Sequence, residues 1–436
     1  MSGLVRWTAY APLEKGATNE DPLGFYAYAM RLAEEWLPGI TTRTRRIRYY
    51  SMICGGLQLI EEELGGLVRQ AIDRDIERLR LFMRWERLWV AWNVAVEDQN
   101  SRGLIGRTKV EPLFRNWHFS SASLDYPFIQ RQPDLGALGS YRTSLESFGL
   151  LREGVTELTV AGNRLANLFW SQDAGGRNKG ACANSIRSGR VLFNRSRGRL
   201  AAIGTRLGLQ LRSGTHRDQD ALTEELLLLR TRLLPTSGLP ARRTMVLDFL
   251  RRRNLADRDE IEILKRTARG AGRGDGGQEL ERRAAAIIAL EEYRAALMQA
   301  FNLFRDDLVS RGGTSSPTAL ARSNALKKAL KLARKTRARL LPFLGMANFL
   351  PVFSDFAMGK ELDMEDGVSL LRALLETHQT EMVRRQTPRW FHPHSKDKWE
   401  LDPSVAYPSS RDGALGTYSY RTPNLISMAR ESGRRL

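Results

Sequence analysis

Apolar residues recur at helical spacing along most of this chain. Over residues 45–67 and 67–96, apolar and aromatic side chains return every three or four positions, which is the pattern of helices with one buried face. The same spacing predicts a long helix from about Gln278 to Val309. The chain is therefore predicted to be mainly α, a multi-domain helical protein. Its 436 residues suffice for about two to four domains.

The pattern changes near the middle of the amino-terminal half. Ser140 is predicted to cap a short amphipathic helix. Gly149 follows that helix, at the position where a left-handed residue commonly ends one. The face predicted to be buried carries Tyr141, Leu145 and Phe148.

A hairpin and a second helix are predicted directly afterwards. Residues 150–159 are rich in β-branched side chains around Glu153-Gly154, which indicates a small hairpin. Thr159 is predicted to cap the next helix. Its apolar face holds Leu165, Leu168 and Phe169. The order helix, hairpin, helix is that of a winged helix-turn-helix.

This segment, residues 138–170, resembles the carboxyl-terminal half of bacterial winged-helix regulators. Their L-x-x-x-G-L and L-T-x-x-G-x-x-L patterns correspond to residues 145–150 and 158–165. The resemblance implies a DNA-binding module whose recognition helix directs Arg142 and Thr143 outward and whose wing brings Arg152 to a backbone phosphate. Two alternatives stay open: the segment is part of a larger helical core, or it binds another protein.

Net charge points to a polyanionic partner. The chain carries 68 Lys and Arg against 49 Asp and Glu, a formal charge of +19. Such an excess favours nucleic acid, because each phosphate that is neutralised releases condensed counterions. Arginine supplies most of the positive charge, and its planar guanidinium suits phosphate. Part of the excess can serve solubility.

Four arginines are grouped at the start of a predicted helix: Arg43, Arg45, Arg46 and Arg48. Cations there oppose the positive end of the helix dipole, and a bound phosphate would offset that cost. The alternative is pairing with carboxylates at residues 61–63 or with Asp73 and Asp75.

Two strings around these arginines carry a second resemblance. D-P-L-G, residues 21–24, and L-P-G-I-T-x-x-T-R-x-x-R-Y-Y, residues 37–50, resemble uncharacterised bacterial domain-of-unknown-function proteins associated with defence and mobile-element loci.

Two long windows contain no acidic residue. Residues 174–217 hold ten Lys or Arg among many glycines, which predicts a flexible segment able to follow a phosphate backbone. Its candidate contacts are Arg195, Arg197 and Arg199. The alternative is a surface connection whose charge is balanced by acids elsewhere in the fold.

The second window, residues 308–354, holds nine Lys or Arg. Ser316 and Pro317 mark helix starts there, and one helix edge is predicted to carry Lys328, Lys331, Lys335 and Arg339. Like charges at this spacing repel, and a polyanion would relieve the repulsion. A membrane surface or an acidic partner subunit would relieve it as well, although the apolar edge lacks aromatic residues.

Reactive chemistry has few candidates. Cys54 and Cys182 lack companions at metal-binding spacing, so neither a zinc site nor a disulfide framework is predicted. His392 and His394 lie near Asp397 and Glu400, but the proline between them predicts a loop rather than a metal-binding helix. No catalytic residue, metal or cofactor is predicted.

The sequence divides into five predicted segments. They are an amino-terminal helical region 1–100, a winged-helix domain 101–172, a basic glycine-rich connection 173–218, a helical region 219–268 and a carboxyl-terminal helical domain 278–436 with an extended tail. No apolar run long enough to span a membrane and no secretory leader are recognised, so a cytoplasmic location is expected.

Together these features predict a non-enzymatic protein that binds duplex DNA through its phosphates. We expect it to act as the recognition or adaptor subunit of a bacterial assembly directed against phage or plasmid DNA, with a nuclease or helicase as partner protein. The alternatives are a metal-dependent nuclease subunit and a basic scaffold for protein or RNA.

Overall fold

The computed structural model confirms a mainly α chain. The residues that it describes are 21–65, 71–96, 103–115, 121–126, 131–173, 177–192, 203–209, 219–238, 241–270, 275–344, 365–386, 389–395, 397–402 and 418–436. Among these residues strands are few and short, and none has more than three residues.

The described residues are mostly helical. They are α1 Phe25–Trp36, α2 Arg48–Leu64, α3 Ala71–Ala95, α4 Arg107–Arg115, α5 Gln132–Leu135, α6 Ala137–Ser147, α7 Val160–Ser171, α8 Arg177–Ser188, α9 Gln219–Leu233, α10 Ala241–Arg253, α11 Glu260–Ala268, α12 Asp275–Ser310, α13 Pro317–Leu320, α14 Asn324–Leu344, α15 Gly367–Arg385 and α16 Thr422–Glu431. Within the described ranges, no helix is both long and apolar enough to cross a membrane.

The described strands form two small antiparallel sheets. The strands are β1 Ser121–Ser123, β2 Arg190–Leu192, β3 Thr314–Ser315, β4 Phe391–Pro393 and β5 Trp399–Leu401. β1 pairs with β2, with Ala122 opposite Val191. β5 lies between β3 and β4, with His392 opposite Glu400.

The chain forms two compact units. The first contains Pro38–Leu247 and Pro423–Leu436, and the second contains residues 21–37 and Asp248–Thr422. The last residues of the chain therefore return to the first unit, although the sequence places them in the segment 278–436.

The core of the first unit is built on α2 and α3, which pack on each other, and α2 also packs on α6 and α7. Trp85, Trp89 and Trp92 are buried, as the apolar pattern of α3 predicts. The indole of Trp85 donates to the carbonyl of Met52 at 3.0 Å. A Cβ at Gly56 would lie 2.1 Å from that indole nitrogen, so the close approach of the two helices requires glycine there.

The second unit is organised around α12, which packs against α1, α11, α14 and α15. The stripe predicted for this helix is buried: Ile287, Leu290, Tyr293, Leu297, Phe301, Phe304 and Leu308. His378, in α15, lies in the same core with its ring centroid 5.3 Å from that of Phe301. Because α14 packs on α12, one side of α14 is buried in this core, and the other side faces solvent.

Candidate nucleic-acid interface

The helix, hairpin and helix expected near residue 150 are present in the first unit. α6 is followed by Gly149, which has the predicted positive φ of 64°. Leu151 then forms an antiparallel bridge with Leu158. The hydroxyl of Thr159 accepts from the backbone N–H of Gly162 at 3.1 Å and caps α7, as predicted. We call residues 137–171 the helix–hairpin–helix segment.

The predicted start of α6 is wrong. The helix begins at Ala137, so Ser140 lies inside it and does not cap it. The Ser140 hydroxyl donates instead to the carbonyl of Leu135 at 3.2 Å. The start is set from outside the segment, because the carboxylate of Glu86 in α3 accepts from the backbone N–H of Ala137 at 2.7 Å.

The outward residues of this segment differ in accessibility. Tyr141, Leu145 and Phe148 are buried, as expected. Thr143 is exposed, but the Arg142 side chain is only 14% exposed and pairs with Glu146 at 3.1 Å. The Arg152 side chain is 66% exposed, and its guanidinium lies 3.0 Å from Glu157. Thr143 and Arg152 are therefore the two predicted contacts of the segment that solvent reaches freely.

The four amino-terminal arginines do not form one cluster. α2 begins at Arg48, whose side chain is fully buried and lies 3.1 Å from the buried carboxylate of Glu225. Burial lowers the pKa of Arg48, and the negative charge of Glu225 opposes that shift. Arg46 pairs with Glu431. Glu225 of α9 and Glu431 of α16 therefore neutralise Arg48 and Arg46. The sequence predicts that a bound phosphate or nearby acids would neutralise them.

Arg43 and Arg45 remain exposed. Their loop lies against the helix–hairpin–helix segment, because the Tyr141 hydroxyl accepts from the backbone N–H of Arg45 and of Arg46 at 3.1 Å. One nitrogen of the Arg43 guanidinium donates to the carbonyl of Asp134 at 3.4 Å. The tertiary structure therefore brings two of the four arginines beside α6.

α14 carries a row of exposed cations. Leu326, Ala329, Ala333 and Leu340 are buried on one side, and the four predicted cations all lie on exposed positions of the other. Arg339 pairs with Glu292 of α12 at 2.6 Å. We call the exposed set Lys327, Lys328, Lys331, Lys335 and Arg339 the basic face of α14. Lys327, which is not among the cations predicted from the sequence, is also exposed.

The side chains of the four lysines of the basic face make no hydrogen bond or ion pair with any residue that the structure describes. α14 itself contains no Asp or Glu. The helix is held by burial of its opposite side against α12 and by contacts with α15. Packing against α12 and α15 therefore outweighs the repulsion between the cations of α14, which no acid within that helix neutralises.

The basic glycine-rich segment is only partly described. Arg195, Arg197 and Arg199 lie outside the described residues. In α8, Lys179 pairs with Glu62 at 2.7 Å and Arg187 with Glu63 at 2.9 Å. In this part of the segment, acids of α2 supply the balancing charge, which is the alternative that the sequence left open.

The two carboxyl-terminal histidines lie on a hairpin. His392 Nε2 is 3.0 Å from Asp402, and His394 Nδ1 is 3.7 Å from Glu400. Across the described ranges, no group of three or more His, Cys, Asp or Glu side chains is arranged to hold a metal ion. The arrangement here is two exposed histidine–carboxylate pairs.

A comparison of the chain with protein-family models, with curated proteins and with solved structures finds no match.

Proposed function

We propose that this protein is a non-enzymatic DNA-binding subunit that holds duplex DNA mainly through its phosphates. The observation that carries the proposal is the basic face of α14, where four exposed lysines have no partner among the described residues. Unpaired, solvent-exposed cations in a row match a regular polyanion better than they match a fold-stabilising role, because exposed ion pairs contribute little to stability.

The dimensions of the basic face fit a duplex. Lys328 and Arg339 are eleven positions apart in one helix, which corresponds to about 16 Å at 1.5 Å per residue. That length equals about five base pairs at 3.4 Å each. Contacts of this kind are independent of sequence and position the protein on the duplex.

The helix–hairpin–helix segment supports a second contact, in the first unit. Its element order is that of a winged helix-turn-helix, and the exposed Arg43, Arg45, Thr143 and Arg152 lie on it or on the loop against it. We propose that this segment is a winged helix and reads the shape or base edges of the duplex. We further propose a recognition or adaptor role in an assembly with a nuclease or helicase, acting on phage or plasmid DNA; the resemblance of residues 21–50 to proteins associated with defence loci supports the target.

The test is the salt dependence of duplex affinity for the full chain. Replacing Lys328, Lys331 and Lys335 by Ala should weaken binding to every duplex alike and reduce the log–log salt slope by about 3, since each phosphate contact contributes about 0.9. Replacing the exposed Arg253, Arg258 and Arg269 of the same unit by Gln is the matched control, with equal loss of charge.

Two results would refute the proposal. One is an affinity for duplex that does not change with salt, and the other is an equal loss of slope in the lysine variant and in the control. If the lysine variant instead loses affinity for structured RNA and never bound duplex, the basic face serves the RNA alternative.

A further inference from the structure

An open cleft of about 570 Å³ lies within the first unit, where the end of α6 approaches α9. Phe148, Gly149, Leu227, Arg232 and Pro235 are among the residues that line it. The basic face of α14 belongs to the second unit. The helix–hairpin–helix segment contributes to the wall of the cleft, but Thr143 and Arg152, its proposed DNA contacts, are not among the lining residues.

One cation of the cleft, Arg232, has no counter-ion among the described residues. The side chain of Arg232 makes no hydrogen bond or ion pair with any described residue, although Arg232 is partly buried. Below it, the guanidinium of Arg243 is buried, lies 4.4 Å from the centre of the Phe148 ring, and donates to the carbonyl of Arg232 at 3.0 Å. Both arginines are among the residues that line the cleft.

The carboxylates of the cleft are already engaged. Glu146 pairs with Arg142 at 3.1 Å, and Glu224 pairs with Arg164 at 3.2 Å. Neither carboxylate forms an ion pair with Arg232. Partial burial makes an unpaired guanidinium costly, and an incoming carboxylate would offset that cost through charge-assisted hydrogen bonds.

The remaining lining of the cleft is mixed. Leu227, which is 58% exposed at the edge, and Leu228 and Pro235 supply apolar surface, and Ser147, Thr231, Thr236 and Ser237 supply hydroxyl groups. A phosphate backbone has no apolar group to cover such a surface, whereas a peptide has. Exposed apolar surface beside an unpaired cation is the composition expected of a site for a mixed acidic and aliphatic segment.

We infer that this cleft is a docking site for a short acidic and aliphatic peptide segment of a partner protein. A carboxylate of the segment binds Arg232, and a neighbouring aliphatic side chain covers Leu227. The inference goes beyond DNA binding and gives the protein a separate surface for protein contact.

The experiment is a selection of random dodecapeptides displayed on phage, carried out on the full chain and counter-selected on Arg232→Gln. The recovered peptides should be enriched in Asp or Glu next to Leu, Ile or Phe. In anisotropy titrations with a labelled recovered peptide, Arg232→Gln and Leu227→Ser should each weaken binding about tenfold or more, as expected for central interface residues.

Matched controls are available in the second unit. Arg258→Gln removes one exposed cation, and Val383→Ser alters an apolar side chain that is also 58% exposed. Both should bind the peptide like the unmodified protein, and duplex DNA should not displace it. Recovered peptides without acidic enrichment, equal weakening in the controls, or displacement by duplex together with a DNA defect in Arg232→Gln would each overturn the inference. The last result would assign the cleft to DNA.

Discussion

The carboxylate of Glu86 accepts a hydrogen bond from the backbone N–H of Ala137 at 2.7 Å and thereby fixes where α6 begins. The other oxygen of the same carboxylate accepts from the side-chain amide of Gln132 at 2.8 Å. Glu86 is buried, and this burial raises the pKa of its carboxyl to about 7.

The first prediction concerns pH. Because the pKa of Glu86 in the folded protein is above its unfolded value, the stabilising contribution of Glu86 is complete below about pH 4.5 and is lost as pH rises through about 7. Relative to Glu86→Gln, the unmodified protein should lose at most about 3 kcal/mol between pH 4.5 and pH 8, at about 1.4 kcal/mol per unit of pKa. Denaturant unfolding of both proteins at the two pH values checks this. A stability difference that stays constant with pH would contradict it.

His378 gives a prediction of opposite sign. Its Nδ1–H donates to the carbonyl of Pro22 at 3.1 Å, and its Nε2 accepts from the backbone N–H of Trp390 at 2.9 Å. Burial lowers the pKa of His378 to about 4. Its contribution to stability is therefore present above about pH 6.5 and is lost as pH falls through about 4.

Replacing His378 by Phe leaves a buried carbonyl and a buried N–H unpaired, which should cost about 2–5 kcal/mol at pH 7. The variant should also lose part of the acid sensitivity between pH 6.5 and 4. Unfolding curves across that interval measure both effects. A variant with the same acid dependence as the unmodified protein would show that another group is responsible.

Two helical glycines should respond in opposite ways to alanine. A Cβ at Gly56 would lie 2.1 Å from the Trp85 indole, whereas one at Gly180 in α8 meets nothing within 4 Å. Gly56→Ala should destabilise by about 1–3 kcal/mol through overpacking. Gly180→Ala should stabilise by about 0.5–1 kcal/mol through helix propensity. Thermal melts of the two variants test the packing of α2 on α3, and equal effects would contradict it.

The helix–hairpin–helix segment supplies the last prediction. Leu145→Ala should destabilise by about 2–5 kcal/mol, because Leu145 is fully buried. Thr143→Ala and Arg152→Ala together should change stability by less than about 1 kcal/mol and reduce duplex affinity. Melts and binding titrations on the same preparations separate the two classes. Unchanged affinity and sequence preference in the double variant would assign the segment to protein contact.

The sequence by itself determined those features that depend on neighbours three or four positions away. The buried stripe of α12, the Thr159 cap, the left-handed Gly149 and the exposed cations of α14 all follow from the spacing of side chains along one helix or turn. Such features are read from sequence because backbone geometry alone places those residues together.

Only the tertiary structure decided which charges are available to a ligand. The sequence does not distinguish Arg48 from Arg43. Arg48 is buried in an ion pair with Glu225, 177 positions away, whereas Arg43 is exposed and pairs with no carboxylate of the described residues. Glu86 is likewise distant in sequence from α6, yet its hydrogen bond to Ala137 fixes where that helix begins. The cleft beside Arg232 is formed by α9 and the end of α6, two helices that are also distant in sequence. Partners distant in the chain are chosen by packing of whole helices, because burial forces each charge to find a counter-ion that local sequence does not specify.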